Sequence, residues 1–307
     1  MPVMQMRLVL EISAEDCSKT VKQLLKTRLH ISERLIKKMK QSGRILLNSA
    51  PVHVNARVAE GDVLEALIDF DEQNEDIIPE EMDLEIIYED DCLIAINKPP
   101  GMVVHPSIRH FTGTVANGLM HYLLSRGKRT LIRPVSRLDR DTSGILVFAL
   151  NPFVQHALAQ QMQNGLYHKE YLGIVHGTFP SPEGTIDLPI ERLPGSIMLR
   201  RVSDEGAPSV THYEVLEQFA DCAFLRFRLI TGRTHQIRVH CQAAGHPLLG
   251  DTLYSLPEYE NMHTGLICRQ ALHSAHVSFS HPLSGQPVKL AAPLPCDMLH
   301  ALEILRK

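Results

Sequence analysis

Residues 133–148 read RPVSRLDRDTSGILVF, a compact polar loop that runs into an unbroken apolar strand. Two carboxylates, Asp139 and Asp141, sit among three arginines, Arg133, Arg137 and Arg140. An opposite charge within a few ångströms favours the ionised form of a carboxylate. At the mouth of a buried strand, such a group is placed to act as a nucleophile or base. Taken alone, R-x-D-x-D reads first as a surface loop closed by a salt bridge, so the surrounding sequence has to decide.

Working outward, the chain from residue 92 is rich in strand patterns. CLIAINK, GILVFAL, EYLGIVHG, THYEVLEQF, AFLRFRLI, HVSFSH and PVKLAAP carry the apolar and β-branched runs of strands. Between them TVANGLMHYLL, NPFVQHALAQQMQNG and THQIRVHCQAAG read as helices. Many strands with few helices predict an α+β domain, mixed and largely antiparallel, over 92–307. No G-x-G-x-x-G and no G-x-x-x-x-G-K-[ST] occurs, so a nucleotide cofactor has no foothold, and no internal repeat is seen.

Upstream, residues 1–68 read as a small separate α+β unit. SKTVKQLLKTRLH and SERLIKKMKQSG predict two short amphipathic helices, with Leu24, Leu25, Leu29 and Leu35, Ile36, Met39 at helical spacing. Ser18 and Ser32 are candidate N-caps and Gly43 a stop. Short β runs follow, broken at Asn48-Ser49 and Gly61-Asp62. The exposed helix positions include Arg34, Lys37 and Lys38.

The net charge of −4 is an average over unlike segments. Residues 1–68 carry 11 Lys and Arg against 7 Asp and Glu, and residues 92–307 carry 20 against 16. Residues 69–91 hold 12 acidic side chains and no basic one, and are expected to form an acidic linker. Two mildly basic bodies remain able to bind a polyanion, since local patches outweigh the total. The six cysteines are scattered singly with no C-x-x-C, so neither a disulfide framework nor a zinc knuckle is expected. No run of about eighteen apolar residues occurs, and MPVMQMRLVLEIS lacks the features of a signal peptide. The expectation is a cytoplasmic monomer with reduced thiols.

The run R-L-D-R-D-T-S-G at 137–144 resembles the catalytic motif of the RluA/RluD-type RNA pseudouridine synthases. Four further stretches fit that family in order: AINKPPGMVVHPS (95–107), YHKEYLGIVHG (167–177), LITGRTHQIRVH (229–240), and GHPLLGDTLY with ALHSAHVSFSHPLSG (245–285). The helix–helix–β order of the first 68 residues is similar to a small RNA-binding module shared with a small-subunit ribosomal protein. The resemblance covers nearly the whole chain. One departure is Ser136, where family members often carry histidine.

The resemblance implies isomerisation of uridine to pseudouridine, without cofactor or metal. Asp139 is then the essential catalytic residue, Tyr171 stacks on the target base, and Arg238 pairs with Asp139. Arg137 enters the RNA helix in place of the extruded base. Lys98 and Arg233 are assigned to RNA, as are Arg34, Lys37 and Lys38 of the N-terminal module. The chemistry suits these groups: a phenol offers a flat face to a flipped base, and extrusion costs a few kcal/mol. Ribosomal RNA of the large subunit is the favoured substrate and transfer RNA the alternative. A non-catalytic RNA-binding or ribosome-assembly factor is the competing reading. A serine hydrolase built on Ser143 is a third, weakened by the absence of a G-x-S-x-G elbow. His235 and His240 have no third ligand at metal spacing, and His273 and His276 read as structural. GHPLLGDTLY reads as turn–strand scaffold.

Overall fold

The structure, a computed structural model, describes residues 6–70, 76–107, 110–260 and 262–307. The N-terminal unit runs β1 (Arg7–Glu11), α1 (Val21–Thr27), α2 (Glu33–Gln41), β2 (Ile45–Leu47), β3 (Ala50–Pro51) and β4 (Val63–Leu67). Its four strands pair in the order β1-β4-β2-β3. Leu24, Leu25, Leu35, Ile36 and Met39, the residues at helical spacing, are all buried in its core. Ser32 caps α2 through Leu35 N, but α1 begins at Thr20 rather than Ser18, in a capping box with Gln23. The reason lies in the reciprocal pairing: Thr20 Oγ1 takes the Gln23 N–H while Gln23 Oε1 takes the Thr20 N–H.

The larger body follows as β5 (Ile86–Glu89), β6 (Leu93–Lys98), α3 (Val115–Ser125), β7 (Arg133–Pro134), β8 (Ser143–Ala149), α4 (Pro152–Gln163), β9 (His168–His176), β10 (Glu183–Asp187), β11 (Ile190–Arg192), β12 (Arg200–Val202), β13 (Val210–Gln218), β14 (Cys222–Leu229), α5 (Gln236–Ala243), β15 (Leu272–Ser280), β16 (Pro287–Ala291) and α6 (Cys296–Leu305). Its main sheet has the order β10-β13-β14-β9-β15-β8-β6-β5, with β16 on β15 and β7 on β8. Every pairing in it is antiparallel except β15 with β8. The fold is therefore α+β, mixed and largely antiparallel, as expected. Each strand pattern named from residue 92 onward forms a strand, while α6 was not anticipated.

The expected acidic linker, 69–91, is only in part a connector. β5 lies within it and pairs with β6. Ile77 is buried, Asn117 Nδ2 donates to Ile78 O, and Glu80 Oε2 accepts the Gly113 N–H. The acidic side chains alternate with Ile77, Ile78, Met82, Leu84 and Ile86. That apolar partner set attaches the segment to α3, and composition averaged over the segment conceals it. Residues 71–75 lie outside the described residues.

Candidate active site

The loop that carries Asp139 is held from below by buried polar groups. Lys98 closes the apolar β6 and is 0% exposed. Its Nζ donates to Pro99 O at 2.8 Å, Met102 O at 3.0 Å and Arg140 O at 2.8 Å, one acceptor for each ammonium hydrogen. Burial pushes its pKa down to about 7, with Asp141 pulling it back up, Arg269 adding to the fall and Asp139 opposing it. Arg269 donates to Asp141 O at 3.0 Å while gripping Asp297. Gln270 Nε2 donates to Thr142 Oγ1 at 3.2 Å. One residue on, Ser143 donates to His273 Nδ1 at 2.9 Å, and His273 Nε2 donates to Ala292 O. Four successive residues after Asp139 are thus pinned from β6 and from the approach to β15.

The parallel contact of β8 and β15 depends on Gly144. Its φ is +106°, and a Cβ there would meet Ser274 O at 2.3 Å and Ser274 N at 2.7 Å. No side chain fits so close an approach of two backbones.

Arg238, near the N-terminus of α5, is 5% exposed and joins two carboxylates. It grips Asp251 with two hydrogen bonds, Nε to Oδ2 at 2.6 Å and Nη2 to Oδ1 at 2.8 Å. A third, Nη1 to Asp139 Oδ2 at 3.0 Å, turns the guanidinium towards the loop. Burial works against this charge, but Asp251 and then Asp139 outweigh it and push the Arg238 pKa up. The Tyr254 ring lies 5.0 Å from the guanidinium carbon. The other oxygen, Asp139 Oδ1, lies 3.7 Å from His235 Nε2.

His235 stands where β14 turns into α5, with φ at +58°. For a residue other than glycine this is an uncommon conformation, held only where surroundings enforce it. The Tyr254 hydroxyl accepts the Arg200 N–H at 3.0 Å and lies 2.7 Å from His235 Nδ1. When it donates there, the imidazole hydrogen sits on Nε2, on the Asp139 side. Burial lowers the His235 pKa against the pull of Asp139, so the ring is neutral.

Tyr171 enters from β9. It is buried, and burial followed by the nearby Asp139 charge pushes its phenol pKa up, so the hydroxyl keeps its hydrogen. Asp139, Tyr171, His235 and Arg238 line one shallow, solvent-open cleft, with Arg137 and Arg233 among its other lining residues. Leu138, Leu229, Ile237 and Leu272 give the same cleft its apolar surface. An aromatic face, an available carboxylate oxygen and an apolar wall form a receptor for one flat, unstacked base.

The structure thus brings Asp139, Tyr171 and Arg238 together. Arg137 is exposed and makes no ion pair among the described residues, while Arg233 is exposed and donates to Pro208 O. Other expectations need correction. Lys98 is no phosphate contact, because its ammonium is buried and shared among three carbonyls. Arg133 is buried and donates to Leu131 O, and Arg140 pairs with Asp141, so neither holds Asp139. In the N-terminal unit Arg34 and Lys37 are exposed, but Lys38 is half-buried with its Nζ 4.1 Å from the Phe70 ring centre. Ser143 does meet a histidine, but it is 2% exposed and His273 is fully buried, so no substrate reaches the pair. His240 bonds Thr211 and Leu188 O as a core residue.

Residues 92–243 match the family model of RNA pseudouridylate synthase, and residues 8–64 match that of the RluD ribosomal pseudouridine synthase N-terminal domain. The chain is 42% identical to the uncharacterized RNA pseudouridine synthase YjbO of Bacillus subtilis, over 88% of this chain and 94% of the relative. It is 37% identical to the ribosomal large subunit pseudouridine synthase D of Neisseria meningitidis, over 87% of this chain and 73% of that one. Among solved structures, human RNA Pseudouridylate Synthase Domain Containing 4 shares the fold. Its TM-score is 0.59 at 24% identity, over 72% of this chain and 93% of that one.

Proposed function

Because the chain belongs to the RNA pseudouridine synthase family, we propose that its cleft converts uridine to pseudouridine in large-subunit ribosomal RNA, with Asp139 as the essential catalytic residue. The observation that carries the assignment is the unequal use of the two Asp139 oxygens. Oδ2 is anchored by Arg238, whereas Oδ1 accepts no hydrogen bond among the described residues, and Asp139 lines the cleft together with Tyr171. An anchored carboxylate with one free oxygen is positioned to act on a bound ribose, either at the anomeric carbon or at a neighbouring proton.

The target base leaves its stack and enters against the Tyr171 face, at a cost of a few kcal/mol that favours loops over perfect duplex. After the glycosidic bond breaks, the apolar wall holds the uracil while it turns. The ring then rejoins the ribose through carbon; the proton on that carbon leaves and the ring nitrogen freed from the ribose takes one up, so the product is an isomer. Arg137 and Arg233 stand at the cleft to meet the RNA, and Arg34 and Lys37 on α2 meet it at a distance from the chemistry. The ribosomal substrate is supported by the RluD-type N-terminal match and by the named relatives.

The experiment is carbodiimide mapping of pseudouridine in total RNA from cells with the intact gene, a deletion, or the Asp139→Asn allele. Loss of the same large-subunit stops in both mutants is the expected result. Stops lost from transfer RNA instead would move the substrate. Unchanged stops with Asp139→Asn would sink the catalytic assignment.

A further inference from the structure

A second cluster of chemistry-bearing side chains lies on the opposite face of the sheet from Asp139. Along β9, Tyr171 and Val175 belong to the core beneath the cleft, while Leu172 and Ile174 pack on the other side with Met298 of α6. His176 alternates with the second set. It is directly opposite Cys222 in the β9–β14 ladder, which places their side chains as neighbours on one face. Asp221 precedes Cys222, and His263 arrives from the loop between α5 and β15. The ligand atoms of Asp221, Cys222 and His263 all lie within 4.8 Å of one another, with His263 Nε2 3.0 Å from Asp221 Oδ1.

Two further observations suit a bound cation at this cluster. His176 is 5% exposed, yet its Nδ1 is buried with no hydrogen-bond partner among the described residues. Its ring centre lies 6.1 Å from that of His263, with Tyr259 stacked on its face. An orphaned buried nitrogen is costly unless something completes it. His263 itself is held at φ +53°, in the left-handed region.

We propose that Asp221, Cys222 and His263 bind a zinc-type divalent cation, with the neighbouring His176 turning in from outside that group as fourth ligand. Two neutral imidazoles, one thiolate and one carboxylate form a tetrahedral donor set whose two negative charges balance the ion. Binding transfers the Cys222 thiol hydrogen to solvent as a proton and changes no oxidation state. The ion clamps the 252–268 loop to the sheet. That loop lies between Asp251, which grips Arg238, and Arg269 and Gln270, which hold the catalytic loop. The site is structural and stands apart from the isomerisation.

A similar cluster elsewhere lacks this character. Asp90, Cys92 and His281 also lie close together. There His281 Nδ1 accepts the Leu283 and Ser284 N–H groups, so its hydrogen sits on Nε2 and donates to Asp90 at 3.0 Å. A cation on Nε2 would drive that hydrogen to Nδ1, against two N–H donors. That network is complete without a metal.

The test is elemental analysis of the full chain, purified without a histidine tag or chelator, followed by cobalt(II) titration of the EDTA-treated protein. The expected result is close to one zinc per chain and a thiolate-to-cobalt charge-transfer band. Both should be lost in Cys222→Ala and in His263→Asn, the latter on a loop and tolerant of change. Metal-free protein that gains the band with cobalt, through the same two residues, supports the site as a weaker one. Absence of both metal and band in the wild type overturns it, as does zinc retained undiminished in both variants.

Discussion

Asp251→Asn isolates the part of the site that anchors Arg238 without touching substrate. Asparagine keeps an oxygen to accept the Leu253 and Tyr254 N–H groups and the Arg238 Nη2, at 3.0, 3.2 and 2.8 Å in the wild type. Its NH₂ group, however, would face Arg238 Nε across the present 2.6 Å contact, donor against donor. The change removes one charge-assisted hydrogen bond, worth roughly 1.5–3 kcal/mol. It also leaves a buried guanidinium short of charge, and breaking such a pair costs about 3–5 kcal/mol. Asp139 still supplies one contact and offsets part of this, so the expected loss of stability is roughly 3 kcal/mol. The chain has no tryptophan, so urea unfolding followed by far-ultraviolet circular dichroism is the suitable assay. Activity should fall too, as Arg238 relaxes towards Asp139 and takes up its free oxygen. Asp139→Asn gives the opposite pattern, since this side chain is 26% exposed and its amide oxygen still accepts from Arg238. It should abolish product formation and leave stability within about 1 kcal/mol. Asp251→Asn within about 0.5 kcal/mol of the wild type would refute the reasoning, because that is the range of a surface substitution.

Three other expectations follow from the supports of the loop. Lys98→Met should destabilise the chain by roughly 3 kcal/mol by orphaning three carbonyls, yet leave the salt dependence of RNA binding unchanged. A reduced salt slope would restore Lys98 as a phosphate contact. Burial lowers the His273 pKa to about 4, against an opposing pull from the Ala292 carbonyl. The unfolded chain therefore takes up a proton near pH 6.5 that the folded chain refuses. Stability is full above about pH 6.5 and should fall by roughly 3 kcal/mol as pH drops towards 4; a His273→Asn variant with the same pH slope would remove this residue as the cause. His235→Asn should lower kcat about 10- to 100-fold with little change in RNA affinity, as fits a donor acting beside Asp139. An equal rise in Kd without a change in kcat would make it an RNA contact instead.

What the sequence made legible follows the range of the interactions involved. The apolar strand at 144–150 and the helices at 18–43 rest on local periodicity, which survives folding. Asp139, Tyr171 and Arg238 were found through motifs whose residues are close in sequence. Asp251 was missed because GHPLLGDTLY reads as scaffold, and as backbone it is scaffold. One signal was available: a short acidic side chain after Gly250 and before an apolar Leu-Tyr turn, placed to cap that turn's N–H groups. Lys98 was misread because charge alone suggests solvent. It ends the buried run LIAIN and precedes the Pro99-Pro100-Gly101 turn, so its nearest acceptors are carbonyls. Local pairing likewise absorbs several cations of the N-terminal unit. Lys19 and Arg28 close on the buried Asp16, and Lys22 and Lys26 share Glu33.

These misreadings have a common physical origin, which also explains how the site is built. In the role proposed for it, Asp139 needs one oxygen open to substrate, so it has few contacts with which to fix its position. Its position is imposed by neighbours that have little exposure of their own: Lys98 and Arg269 on the backbone of the next two residues, Gln270 and His273 on the side chains of the two after those. Each support comes from a segment that is remote in sequence or brought near only by the parallel pairing of β8 with β15. Buried polar supports contribute little net stability relative to apolar residues of similar size, and each is costly to break. Losses spread across these remote positions should therefore reduce folding and turnover together, whereas loss of Asp139 reduces turnover alone. That separation is measurable residue by residue, and it distinguishes the group that does the chemistry from the frame that aims it.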